Sequence, residues 1–181
     1  MSKKDIAIII GRFQIWTRGH QELAKFASRH ANNLCVVCGS HSEERTEKNP
    51  LLFEERRRMI GSNLKKLSIP YEIRAVPDFD NDADWVECVN EQINVAGLDM
   101  YLNENFSKVL VGMHKDSSSY YLDLFPELDY VELPRPENMI SATDAREIMY
   151  GRKEGDLGKI VTAETGSFLN LYHPIFKEIV S

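Results

Sequence analysis

Short apolar runs alternate along this chain with longer stretches whose apolar positions fall three and four apart, a pattern that predicts strands separated by helices. Residues 5–10, rich in β-branched side chains, predict a strand, and 19–30, with Leu23, Phe26 and Ala27 at helical spacing, predict a helix. A second strand is predicted at 34–38, ending at Gly39-Ser40, and a helix at 53–67 with Met59, Ile60, Leu64 and Leu67 on one face. Between them the polar stretch 41–49 reads as a mobile loop. Strands at 71–76, 108–111 and 130–133 and a helix at 85–95 continue the alternation. From about residue 156 the chain reads as helices packing an edge, broken at Pro174.

Alternation of this kind joins strands in parallel, so the expected fold is α/β: a Rossmann-like parallel sheet of about five strands with helices on both faces, one domain over 1–181. Such sheets bind ligands beyond the carboxyl ends of their strands, near the point where strand order reverses. The segments that follow those ends are 11–20, 39–49, 77–85, 112–119 and 134–146.

Composition narrows the class. The 181 residues carry 43% apolar side chains, enough for one buried core, and a formal charge of −6, which opposes a nucleic-acid surface while leaving room for a local basic pocket. No stretch approaches a membrane span, and residues 1–5 lead into a strand with no signal peptide in front, so a cytoplasmic protein is expected, with homo-oligomers left open. Cys35, Cys38 and Cys88 are odd in number. Residues three apart on a strand point to opposite faces, so Cys35 and Cys38 read as buried thiols and no protein-bound metal is expected.

Candidate chemistry gathers in the strand-end segments. Residues 6–23 feed an apolar strand through a glycine-led turn into a helix start, a geometry that delivers backbone N–H groups and a positive dipole end to one point. Gly11 permits an unusual backbone or a close approach, Gly19 opens the helix without a side chain, Thr17 and His20 supply hydrogen bonds, and Arg12 and Arg18 supply charge. On these residues alone His20 reads equally as an ordinary first-turn polar group. Ser141 with Asp144 three residues on resembles a capping box, and Thr143 and Arg146 share its first turns, so this is either a second anion cradle or a plain cap. Asp78, Asp80, Asp82 and Asp84 lack the ligand series of a calcium loop and read as an acidic helix start, with Trp85 either core or a flat face for an aromatic ring. Lys115 and a serine cluster follow Gly112.

Taken together these segments resemble a known family. Gly11-Arg12-Phe13-Gln14 with Thr17-Arg18-Gly19-His20 resembles the GRFQPxHxGH signature of the nucleotidyltransferase superfamily, and 140–146 resembles its ISxTxxR signature. More narrowly, Gly39-Ser40, Asn49-Pro50, Glu55-Arg56, Asn81-Asp82 with Trp85, and the segment 115–122 are similar to the nicotinamide mononucleotide (NMN) adenylyltransferase domain found fused to Nudix hydrolases, and to archaeal relatives. Ile15 and Thr17 stand where family members usually carry Pro and His, and no Nudix box follows, so hydrolase activity is not expected.

The resemblance implies adenylyl transfer from ATP to NMN, giving NAD and pyrophosphate, with Mg²⁺ carried by ATP. It implies His20, Thr17 and Arg146 as catalytic residues, and an ATP site formed by Gly11, Arg12, Phe13, Gly19, His20, Gly112, Ser141, Thr143 and Arg146. NMN would be held by Arg12, Ser40, Arg45, Asp82, Trp85 and Lys115. The alternatives are another phosphate-bearing acceptor, such as phosphopantetheine or a sugar phosphate, and a nucleotide sensor without turnover.

Overall fold

The β-branched run that opens the chain becomes the middle of the sheet. In the computed structural model, which describes residues 2–41, 44–114, 117–134 and 141–180, β1 (Lys4–Gly11) is flanked by β2 (Ala31–Cys38) and β4 (Lys108–Gly112), with β3 (Tyr71–Ala75) and β5 (Asp129–Glu132) at the edges. The order is β3-β2-β1-β4-β5 and every pairing is parallel. Ile8 sits opposite both Cys35 and Leu110, so the centre of the sheet is sealed by aliphatic side chains. Strand order reverses at β1, and the crevice beyond Gly11 and Gly112 is the switch point.

Alternating residues of each strand feed two cores. Ala7, Ile9, Val36, Cys38 and Val111 pack with α1 (Arg18–His30), α2 (Phe53–Leu64), α4 (Ala142–Met149), α5 (Leu157–Ile160) and α6 (Ala163–Val180) on one face. Ile6, Ile8, Ile10, Cys35, Val37 and Leu110 pack with α3 (Asp82–Asp99) and the 3-10 segment Ser117–Leu124 on the other. Cys35 and Cys38 therefore do point to opposite faces. Burial pushes both thiols up to about 12, so thiol reagents are expected to modify half-buried Cys88 in the native protein and the other two only after unfolding, read by mass spectrometry.

Several predicted boundaries move: β2 starts at Ala31 rather than 34, α3 runs on to Asp99 rather than 95, and two further differences have a clear cause. Helix α3 starts at Asp82, a turn before Trp85, because the Asn81 side chain caps it, accepting from Asp84 N–H at 2.9 Å. Pro174 does not break the last helix: α6 runs through it. Asn170 and Pro174 are both exposed, so the carbonyl that loses its partner faces water, which can satisfy it. Among the described residues no helix is long and apolar enough to cross a membrane.

Candidate active site

A cleft of about 550 Å³ opens at the switch point, walled by the turn after β1, the starts of α1, α3 and α4, and the segment after β4. Gly11, Arg12, Phe13, Gly19, His20, Ser40, Asp82, Trp85, Gly112, Ser141, Thr143 and Arg146 all line it. His20 and Arg146, 126 positions apart in the chain, thus face one cavity.

The turn after β1 is shaped by packing. Gly11 is required because a Cβ there would lie 2.9 Å from Phe13 Cζ: the close approach comes from the protein's own ring. Phe13 takes a left-handed backbone, φ 46°, a strained choice for an aromatic residue, held by Trp16 and His20 rings at 5.3 and 5.1 Å.

Thr17 is the N-cap of α1. Its hydroxyl accepts from His20 N–H at 3.3 Å, while its own N–H donates to His20 Nδ1 at 3.1 Å. This is a capping box with histidine in the position where glutamate or glutamine is usual. Because Nδ1 is an acceptor, the neutral ring carries its proton on Nε2, at the start of a helix. Thr17 is itself buried and outside the cleft lining, in contact with His20, which does line it.

At the opposite wall Ser141 caps α4, accepting from Asp144 N–H at 3.2 Å and donating to its carboxylate at 2.9 Å. Lys153, then Ser141, holds the Asp144 carboxyl below its usual range. One turn on, Arg146 Nη2 donates to the Thr143 hydroxyl at 3.1 Å. Arg146 is 8% exposed, and burial together with the positive charge of Arg12 depresses its pKa.

The stretch 44–50 separates two cations that look interchangeable in the sequence. Arg45 is absent from the cleft lining: its guanidinium forms a two-pronged pair with Glu55 at 2.6 and 2.7 Å and also donates to Pro50 O at 2.8 Å. Lys48, three residues later, lines the cleft instead. Arg12, Lys48 and Arg146 form no ion pair with any described residue. Arg12 Nη1 is buried and unbonded there. Among the described residues, three cations without an ion pair and two helix N-termini line one cleft, an arrangement suited to an anion.

The other end of the cleft is aromatic. Trp85 meets Tyr121 and Phe125 edge-on at 6.1 and 5.7 Å, and Tyr121 is fixed by donating to Ile10 O at 3.0 Å. Ser40 donates to Asp78 at 3.0 Å and the Tyr120 hydroxyl to Asp82 at 3.0 Å. Lys115 lies outside the described residues. Among the described residues no group of three His, Cys, Asp or Glu side chains is placed to hold a metal.

In the sequence Arg56 stands out only within the Glu55-Arg56 match, with no role assigned to it. It is fully buried, and its guanidinium donates to Arg12 O at 2.6 Å, Gly39 O at 2.7 Å and Ser40 O at 3.2 Å, tying the ends of β1 and β2 together beneath the cleft.

Set beside known proteins, the chain has relatives in both sequence and fold. The cytidylyltransferase-like family model matches residues 8–148. A nicotinamide/nicotinic acid mononucleotide adenylyltransferase of Acinetobacter baylyi is 37% identical over 155 residues, 84% of this chain and 79% of that protein. The chain belongs to the cytidylyltransferase-like family, among its mononucleotide adenylyltransferases. A nicotinamide-nucleotide adenylyltransferase of Methanococcus vannielii is 30% identical over 82% of this chain and 70% of its own length. Crystal structures of a bifunctional NMN adenylyltransferase/ADP-ribose pyrophosphatase from Francisella tularensis superimpose with TM-scores of 0.83 and 0.77 at 27% and 26% identity; one holds AMP and a manganese ion. They match 98% of this adenylyltransferase chain, which spans about half, 52%, of the bifunctional protein.

Proposed function

We propose that this chain joins NMN to the adenylyl group of ATP, giving NAD and pyrophosphate. The observation that carries the proposal is the convergence of Arg12, Lys48 and Arg146, which form no ion pair among the described residues, on the cleft that His20 and Trp85 also line. A phosphate oxygen of NMN attacks the α-phosphorus of ATP, the new P–O bond forms, and the bond to the β-phosphate breaks with pyrophosphate leaving. The nucleophile is already an anion at neutral pH, so no general base is required and the protein supplies position and charge.

In this reading His20 Nε2–H donates to the α-phosphate as charge builds there, with Thr17 acting by setting the imidazole. Arg146 and Lys48 balance the leaving pyrophosphate, with Ser141, Thr143 and the free N–H groups of α4 beside them. Arg12 lies between the two phosphate-bearing substrates, and Gly11, Phe13, Gly19 and Gly112 shape the nucleotide wall. Trp85 stacks on nicotinamide, with Asp82 and Ser40 at the same end. Mg²⁺, borne on the triphosphate oxygens and water, would add charge neutralisation; the cleft carboxylates Asp78 and Asp82 already hold hydroxyls. Three free cysteines suit a reducing, cytoplasmic setting.

The deciding experiment measures pyrophosphate release with NMN, nicotinic acid mononucleotide, phosphopantetheine or no acceptor. Turnover with a mononucleotide is expected; ATP binding without turnover on any acceptor overturns the proposal. Trp85→Ala is expected to raise the KM for NMN roughly tenfold and leave that for ATP nearly unchanged. An unmoved NMN KM would take Trp85 out of the acceptor site.

A further inference from the structure

The turn that carries Lys48 into the cleft is fastened on its outer side by contacts to which the mechanism gives no part. Thr46 and Asn49 exchange backbone hydrogen bonds at 3.2 and 3.1 Å, and Asn49 N–H also reaches the Thr46 hydroxyl at 3.0 Å. Glu47 and Lys48 therefore form the tip of a tight reversal, and the two diverge: Lys48 enters the cleft while Glu47 meets the end of α4.

There the Glu47 carboxylate takes both arms of Arg152, at 2.7 and 2.8 Å, and the Glu47 carbonyl accepts from the Tyr150 hydroxyl at 2.7 Å. The Arg152 guanidinium also lies 5.2 Å over the Tyr150 ring. Exposed ion pairs are usually worth little, but a two-pronged pair backed by a hydrogen bond to the main chain and a ring contact is the geometry in which they count. Its hydrogen bond to Arg152 also holds the Glu47 carboxyl below its usual range.

We propose that Arg152 and Tyr150 are positioning residues that clamp Glu47 and so lock the 46–49 turn to α4, making Lys48 and Arg146 meet the triphosphate as one rigid unit. Arg146 stands one turn before Tyr150 on the same helix. A lysine on an unfastened loop would pay to order its backbone as well as its long side chain each time an anion binds; here the adjoining residue is already held. The clamp rests on the adenylyl-transfer reading for the identity of the anion.

The test is a double-mutant cycle read by calorimetric binding of α,β-methylene-ATP, a non-reacting analogue whose binding needs no acceptor. Arg152→Ala and Lys48→Ala are each expected to weaken binding three- to tenfold, and the double variant to bind no worse than Lys48→Ala. Arg152→Ala should raise the KM for ATP while leaving that for NMN unchanged, a split that general loosening of the fold would not give. Tyr150→Phe should give a smaller loss of the same kind. The clamp is overturned if Arg152→Ala binds the analogue like the parent, or if its loss adds in full to that of Lys48→Ala. Tight analogue binding by a parent that transfers nothing to any mononucleotide would sink the adenylyl-transfer reading and leave the clamp standing.

Discussion

Replacing His20 with alanine is expected to lower kcat by about 10² to 10³, with the KM values for ATP and NMN moving severalfold at most, in steady-state assays of pyrophosphate release. The ring is oriented by Thr17, whose N–H donates to Nδ1 at 3.1 Å, so the neutral imidazole carries its donor on Nε2. It also stands in the first turn of α1, where the helix dipole favours negative charge. In the proposed mechanism ground-state binding rests mainly on the three cations, and for that reason the loss should fall on kcat. Thr17→Val should cost less, because it removes the hydroxyl that caps α1 and lies 3.3 Å from Nδ1 but spares the backbone N–H that donates to the ring. A His20→Ala enzyme with parental kcat would remove the imidazole from the chemistry.

Arg56→Met is expected to be the most destabilising single substitution under the cleft, lowering unfolding stability by about 3 to 5 kcal/mol in denaturant titrations. Methionine fills much of the volume but strands the carbonyls of Arg12, Gly39 and Ser40, which now accept at 2.6, 2.7 and 3.2 Å. Each buried carbonyl without a partner costs about 1 to 3 kcal/mol, and the removed charge returns part of its own desolvation cost. Burial already depresses the pKa of Arg56, a sign that its charge is held against a desolvation penalty. Arg56→Lys keeps the charge but loses the fork, so it should fall between the two. Unfolding of the Met variant at the parental denaturant midpoint would mean that these carbonyls do not depend on the guanidinium.

How residues divide between fold and chemistry follows the range of the forces involved. The Thr17–His20 box lies within a four-residue window, and its spacing is a helix-start signal that the sequence displays openly; histidine in the glutamate position hid it. Gly11 invites a ligand-centred explanation, whereas the ring that forbids a Cβ belongs to Phe13, two residues on, in a backbone conformation that no pattern announces. Arg56 sits on an otherwise exposed, charged stretch of helix, and the sequence assigns it no role beyond the Glu55-Arg56 match. Its burial depends on two strand ends arriving above it, 44 and about 16 residues away in the chain.

By itself the sequence determined the alternating strands and helices, the two buried thiols on opposite faces, and the strand-end segments from which the cleft is built. Those features depend on hydrophobic periodicity and on hydrogen bonds between near neighbours, which are local. Only the tertiary structure decided which cations line the cleft: Arg45 is spent on Glu55, while Lys48 lies in the cleft with no ion pair among the described residues. A charge goes where its desolvation is best repaid, and that depends on partners that folding brings together from distant parts of the chain.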